Sequence, residues 1–217
     1  IGVIFYNIPI RGASEYKPRT MIELAKRHEN IIAVKEASGG DATISSAKET
    51  RRLAREAGFD KYRFKIISGD DDKTFPLMSD PEMEGVGVIS VYSNILPHAY
   101  AQLAELLYAG RLDEAREMNE ILAPLNGIVG WTGYDDRTGM DDTFRNPIPV
   151  KTAAHILGMI EAPQVRSPLY TLPRAGYEEV GRRLAMVYGK APEWFDPVKK
   201  SFHSNVGDRL APYRNAA

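Results

Sequence analysis

No cysteine occurs in this 217-residue chain, which excludes disulfides, thiolate-bound zinc and a thiol nucleophile. Neither sign of charge is in surplus: 28 Lys and Arg stand against 29 Asp and Glu, a formal net charge of −1 at pH 7. Such a balance offers neither the basic face that nucleic acid requires nor the polybasic run that seeks anionic membranes. No apolar stretch approaches the roughly 20 residues of a membrane span. None reads as a secretory leader either, so a cytoplasmic protein without nucleic-acid or membrane partners is expected. Gly-x-Ser-x-Gly, the P-loop and Gly-x-Gly-x-x-Gly are all missing. Ser38-Gly39-Gly40 before a helix is too short to count alone as a phosphate loop. His28, His98, His155 and His203 are scattered without the spacing of metal ligands.

What is present is an ordinary globular composition, 43% hydrophobic and 26% charged, long enough for one large domain or two small ones. The chain opens on an apolar run, Ile1-Gly2-Val3-Ile4-Phe5-Tyr6, where a frayed polar terminus is usual, and a segment upstream of it is expected. Apolar runs at 3–6, 31–35, 64–68 and 86–91 are rich in β-branched or aromatic residues, as strands covered on both faces tend to be.

Helical periodicity fills the gaps. Pro18 suits the first turn of a helix with Met21, Ile22 and Ala25 on one face, and Asp41 is placed to cap the next, which stops at Gly58. Asn94 is placed to cap a helix carrying Leu96, Tyr100, Leu103 and Leu107, and Ala115, Met118, Leu122 and Leu125 repeat that stepping. A Gly- and Asp-rich stretch at 127–146 reads as a long loop, a helix follows Pro147-Ile148-Pro149, and another covers 177–188. Strands alternating with helices imply a parallel α/β sheet, either open and doubly wound or part of a (β/α)8 barrel. A barrel requires eight strands in about 250 residues, and four are visible here.

Lys35 ends the run Ile31-Ile32-Ala33-Val34-Lys35. An apolar setting disfavours a charged ammonium, and a neutral amine can attack a carbonyl to form a Schiff base. Its plainer reading is a strand-end lysine that reaches to water. Tyr6 ends the preceding strand, and in a parallel sheet neighbouring C-terminal strand ends lie together, so a phenol there can relay protons; alone it reads as a core tyrosine. Arg11, in the following loop, has the fork for a carboxylate, or is a solvated loop arginine. Asp70, Asp71 and Asp72 lack a metal-ligand pattern and read as capping groups of the βα loop.

Taken together, Tyr6-Asn7-Ile8-Pro9-Ile10-Arg11 and Ile31-Ile32-Ala33-Val34-Lys35-Glu36-Ala37-Ser38-Gly39 resemble two signature segments of the dihydrodipicolinate synthase and N-acetylneuraminate lyase family of class I aldolases. Ser68-Gly69-Asp70-Asp71, Gly87-Val88-Ile89-Ser90-Val91 and Asn146-Pro147-Ile148-Pro149-Val150-Lys151 match further segments in order, and the resemblance thins beyond Tyr188. It implies a (β/α)8 TIM barrel with a C-terminal helical extension. Residues 1–110 would form the second half of the barrel, 111–189 a helical region with the 127–146 loop, and 190–217 a tail.

The resemblance also implies that Lys35 is the Schiff-base lysine, Tyr6 assists proton transfer, and Arg11 holds the carboxylate of the second substrate. Backbone around Ile89 and Gly69 would line the pyruvate and aldehyde sites. No cofactor or metal is implied, and a homotetramer or homodimer is. Arg11 together with Ser-Gly-Asp-Asp looks like the synthase branch, which condenses pyruvate with L-aspartate 4-semialdehyde for lysine and diaminopimelate synthesis.

The alternative enzymes cleave or dehydrate 2-keto sugar acids, as N-acetylneuraminate lyase and 2-keto-3-deoxygluconate aldolase do. After Arg11 stands Gly12-Ala13, where the synthase usually has threonine and glycine. The threonine, second tyrosine and lysine feedback site of the family's first four strands lie outside this sequence. The expectation is therefore an enzyme with a further N-terminal half; a stand-alone, non-catalytic half-barrel remnant that binds a partner is the other reading.

Overall fold

The computed structural model describes residues 1–214, so the last three residues of the 190–217 tail lie outside the described residues. The chain divides into two compact units: Ile1–Ser90 with Gln102–Glu117, and Val91–Ala101 with residues 118 onward.

The first unit holds a parallel sheet. Strands β1 (Val3–Asn7), β2 (Ile31–Glu36) and β3 (Lys65–Ser68) pair in that order. A single-turn helix, α1 (Pro9–Gly12), follows β1 and precedes α2 (Pro18–Arg27); α3 (Gly40–Glu56) joins β2 to β3, and α4 (Thr74–Ser79) follows β3. Proline opens α2, where its missing N–H costs nothing. Met21, Ile22 and Ala25 are buried against Val34, Phe64 and Ile66 as the periodicity requires, with Ala47 and Ala54 of α3 completing that core. Asp41 sits inside the first turn of α3 rather than capping it; the cap position is Gly39, at φ 90°.

The fourth expected strand, 86–91, does not form a strand. It touches β3 through one parallel bridge, Ser68 with Val88, and Gly87 stands at φ 152°. Three hydrogen bonds still hold it alongside: Val86 N to Ile66 O (2.9 Å), Ser68 N to Gly87 O (2.8 Å) and Ile89 N to Ser68 O (2.9 Å). Glycine weakens a strand but allows close backbone approach, and a Cβ on Gly85 would lie 2.6 Å from the Leu77 carbonyl oxygen. Tight packing against α4 therefore demands the residue that shortens the strand.

In the second unit the expected loop at 127–146 is largely a hairpin. Strand β4 (Gly130–Asp135) pairs antiparallel with β5 (Met140–Arg145). Trp131 and Phe144 are register partners with ring centroids 5.8 Å apart, and Thr132 and Thr143 share a 3.0 Å hydrogen bond. Asp135 is fully buried and receives both arms of Arg137, Nε and Nη2, at 2.8 Å.

Helix α5 (Pro97–Tyr108) begins three residues after Asn94, which lies in a 3-10 turn and does not cap it. Helices α6 (Leu112–Leu122), α7 (Ile148–Ile156) and α8 (Arg174–Lys190) follow. The tail folds into α9 (Asp196–Phe202) and α10 (Val206–Leu210), burying Phe195, Val198, Val206 and Leu210. Among the described residues, no helix is long and apolar enough to cross a membrane.

Candidate active site

Parallel pairing sets the site. Phe5, Val34 and Ile66 are register partners, as are Tyr6, Lys35 and Ile67, and then Asn7, Glu36 and Ser68. Side chains alternate along a strand. Val34 and Ile66 therefore enter the core under the helices, with Phe5 packed against it, while Tyr6, Lys35 and Ile67 share the opposite face. The Lys35 ammonium lies 4.1 Å from the centroid of the Tyr6 ring, within the range of a cation–π contact. Tyr6 is 45% exposed and Lys35 is partly buried, so both groups are open to a small molecule.

Gly69 follows β3 and closes on Lys35 from the other side. Its N–H donates to the Glu36 carbonyl at 2.8 Å, and a Cβ there would stand 2.9 Å from that oxygen and 3.0 Å from Lys35 Cε. The glycine gives the lysine's stem its space. Ile89 is 45% exposed at the end of the bridged segment, its N–H bound to Ser68 O. Arg11 is exposed in α1, a turn that ends at a left-handed Ala13 whose N–H donates to the Pro9 carbonyl. The aspartates of the βα loop have protein partners: Asp70 takes the Thr43 hydroxyl at 2.8 Å, Asp71 the Ser90 hydroxyl, and Asp72 pairs with Lys73 at 2.8 Å. Among the described residues, no three His, Cys, Asp or Glu side chains converge as metal ligands.

Residue-by-residue reading had missed the buried polar layer behind this face. Asn7 and Glu36 are fully buried and hydrogen-bonded to each other, with Ser38 and Ser46 joining them. The available signal was an acid directly after Lys35 in an otherwise apolar run, since a glutamate is rarely buried unless partnered.

Comparison with known proteins places the chain among relatives. A family profile described as the dihydrodipicolinate synthetase family matches residues 1–186. The 4-hydroxy-tetrahydrodipicolinate synthase of Methanoculleus marisnigri is 38% identical over 184 residues, covering 85% of this chain and 55% of that protein. Its namesake in a Sulfurihydrogenibium species is 34% identical over 180 residues, covering 83% and 53%. The fold is similar to the solved dihydrodipicolinate synthase of Thermotoga maritima, with a TM-score of 0.71 at 29% identity over 86% of this chain and 56% of that one. For the 4-hydroxy-tetrahydrodipicolinate synthase of Methylacidiphilum fumariolicum the TM-score is 0.72 at 28% identity, covering 89% and 56%. The chain thus spans about half the length of the curated relatives it matches, as a partial α/β fold.

Proposed function

The chain belongs to the dihydrodipicolinate synthetase family, and on that premise we propose that it carries the Schiff-base half of a pyruvate-dependent carbon–carbon lyase or synthase, a 4-hydroxy-tetrahydrodipicolinate synthase. The observation that carries the reading is the pairing of Tyr6 with Lys35 at adjacent strand ends, with Lys35 Nζ 4.1 Å from the tyrosine ring centroid. The names of the relatives support the reaction, and an amine at the mouth of a parallel sheet supports its place.

In this reading the neutral Lys35 amine adds to the ketone carbon of pyruvate, and the carbinolamine loses water to an iminium. The iminium withdraws electrons, so the pyruvate methyl loses a proton and becomes a nucleophilic enamine. Attack on the aldehyde of L-aspartate 4-semialdehyde forms the new carbon–carbon bond, and the alkoxide takes a proton. In the same reading Tyr6 is the phenol that assists these proton transfers. Arg11 holds the second substrate's carboxylate through its two-pronged guanidinium, while the backbone at Gly69 and Ile89 borders the substrate sites.

The parallel sheet is part of the same proposal. Its three strands and bridged fourth segment form the second half of a (β/α)8 barrel, and the open edge of β1, with Val3 and Ile4 exposed, is where the remaining strands pair. A cytoplasmic homo-oligomer, dimer or tetramer, completes it.

Borohydride reduction in the presence of pyruvate tests the chemistry. Intact mass should show one reduced adduct, and peptide mapping should put it on Lys35. Lys35→Ala should lose the adduct while keeping the far-UV circular dichroism of the parent chain. An adduct that survives this substitution would remove Lys35 from its role.

A further inference from the structure

The carboxylate of Glu36 has an unusual position. It is fully buried, one residue beyond Lys35 in β2, and faces the helix layer rather than the open face. Among the described residues its hydrogen-bond donors are all neutral. Asn7 Nδ2 reaches both oxygens, at 3.2 and 3.1 Å, and Ser46 Oγ of α3 donates at 2.7 Å. The Ser38 backbone N–H donates at 3.1 Å, and its hydroxyl donates to the same oxygen, Oε1. Asn7 extends the tie, since its amide oxygen accepts the Tyr16 N–H at 3.0 Å and so anchors the loop that follows α1.

Burying a carboxylate among neutral donors costs stability that an apolar side chain of similar size would not. Core packing alone therefore gives no reason for the group. Its location does: Asn7 follows Tyr6 as Glu36 follows Lys35, on register-paired strands. One carboxylate thus fastens together the two strand ends, the loop after β2 and the helix above them.

We propose that Glu36 is a positioning residue for the imine chemistry, fixing the ends of β1 and β2 so that Lys35 Nζ is held against Tyr6. The inference rests on the Schiff-base reading above. Displacing a reacting group by about 1 Å can cost about 100-fold in rate, so an off-face carboxylate controls the reaction without touching substrate.

Two measurements on the full chain test it. In Glu36→Gln one acceptor oxygen becomes an NH2 that opposes the converging donors; in Ser46→Ala the carboxylate stays but loses one donor. The first readout is the rate of borohydride-trapped pyruvate adduct per folded molecule across pH. Glu36→Gln should slow it by about tenfold or more, and Ser46→Ala by a smaller factor in the same direction. The second needs no turnover: lysines are reductively methylated with 13C-formaldehyde, and the Lys35 methyl signal, assigned by its loss in Lys35→Arg, should be shifted upfield by the Tyr6 ring current. Glu36→Gln should collapse that shift, and Ser46→Ala should reduce it.

A Glu36→Gln chain that melts lower yet keeps the parent's trapping rate, pH profile and ring-current shift would overturn the proposal and leave Glu36 a structural residue. If Glu36→Gln fails to fold, Ser46→Ala decides, and parental values of both readouts there overturn it. If the parent chain forms no adduct, the Schiff-base reading fails instead. The ring-current shift then decides positioning alone: its persistence in both variants overturns the proposal, and its loss supports it.

Discussion

Placing a methyl group on Gly69 attacks the site and the sheet through one contact. In Gly69→Ala the new Cβ meets the Glu36 carbonyl oxygen and Ala37 Cβ at 2.9 Å, and Lys35 Cε at 3.0 Å. Two of those three neighbours cannot swing away, because one is the backbone of β2 and the other a Cβ fixed to it. Relief must come from β3 and β2 moving apart, which stretches the 2.8 Å hydrogen bond from Gly69 N to Glu36 O. Losing that bond costs about 1 kcal/mol and overpacking about 1–3 kcal/mol, a destabilisation of roughly 2–4 kcal/mol. At an m-value of about 2 kcal/mol per molar, urea unfolding should shift down by about 1–2 M. The Lys35 stem is pushed as well, so pyruvate trapping below the unfolding transition should slow by about 10- to 100-fold. Backbone strain plays no part, since Gly69 is not among the residues at positive φ. A Gly69→Ala chain that unfolds at the parent's urea concentration and traps pyruvate at the parent's rate would refute the argument that this glycine is required by close approach.

Two further outcomes are expected. If Arg11 clamps the second substrate's carboxylate as proposed, Arg11→Ala should raise the Michaelis constant for the aldehyde substrate well above any change for pyruvate; equal rises in steady-state assays would count against the clamp. In the hairpin, the Arg137 guanidinium, aided by its backbone N–H, holds the Asp135 carboxyl below the usual aspartate range. A depressed value in the folded state adds stability at pH above the ordinary aspartate range, and the gain disappears as pH falls through the folded value. Protection of the hairpin amides against hydrogen exchange, taken relative to the intrinsic rate at each pH, should therefore fall in acid below that range, and Asp135→Asn should flatten the dependence. Identical acid profiles for parent and variant would show that the clamp does not stabilise the hairpin.

The parts of the fold legible in the sequence are those governed by local periodicity. Met21, Ile22 and Ala25 follow helical spacing and are buried, and the runs ending at Tyr6 and Lys35 form strands because β-branched residues fit a sheet covered by helices. Where two local signals compete, the reading slips. At 86–91 the apolar run argued for a strand, but Gly85 and Gly87 serve close packing on Leu77 and an unusual φ, and a single bridge remains. At 127–146 the glycines and aspartates argued for a loop; the overlooked pattern was the alternation around Trp131 and Phe144, with Gly139 at φ 76° closing the turn. Of the Glu36 network only the acid after Lys35 was legible; its partners Asn7, Ser38 and Ser46 were not, because they come from separate elements brought together by folding.

The three strands end on the same three-row pattern, and the rows divide the labour of the sheet. Phe5, Val34 and Ile66 form the row that packs beneath the helices; Tyr6, Lys35 and Ile67 form the row on the open face; Asn7, Glu36 and Ser68 form a fully buried polar row. Because successive residues point to opposite sides, a strand of this kind can stabilise itself with one residue and present chemistry with the next. A third residue, again on the packed side, is then available to lock the strand's end. In β1 and β2 the locking residues bond to each other, and in β3 Ser68 Oγ reaches the Asp70 carbonyl at 2.8 Å, tying down the turn that contains Gly69. The polar row is thus the physical link between stability and reactivity. Loss in the first row loosens the core and leaves the open-face groups unchanged in kind, whereas loss in the second removes chemistry from an intact core. Of the three rows, the third is the one where a single substitution disturbs both, because there a buried group is satisfied by the same hydrogen bonds that, on the proposal above, hold Lys35 and Tyr6 in place.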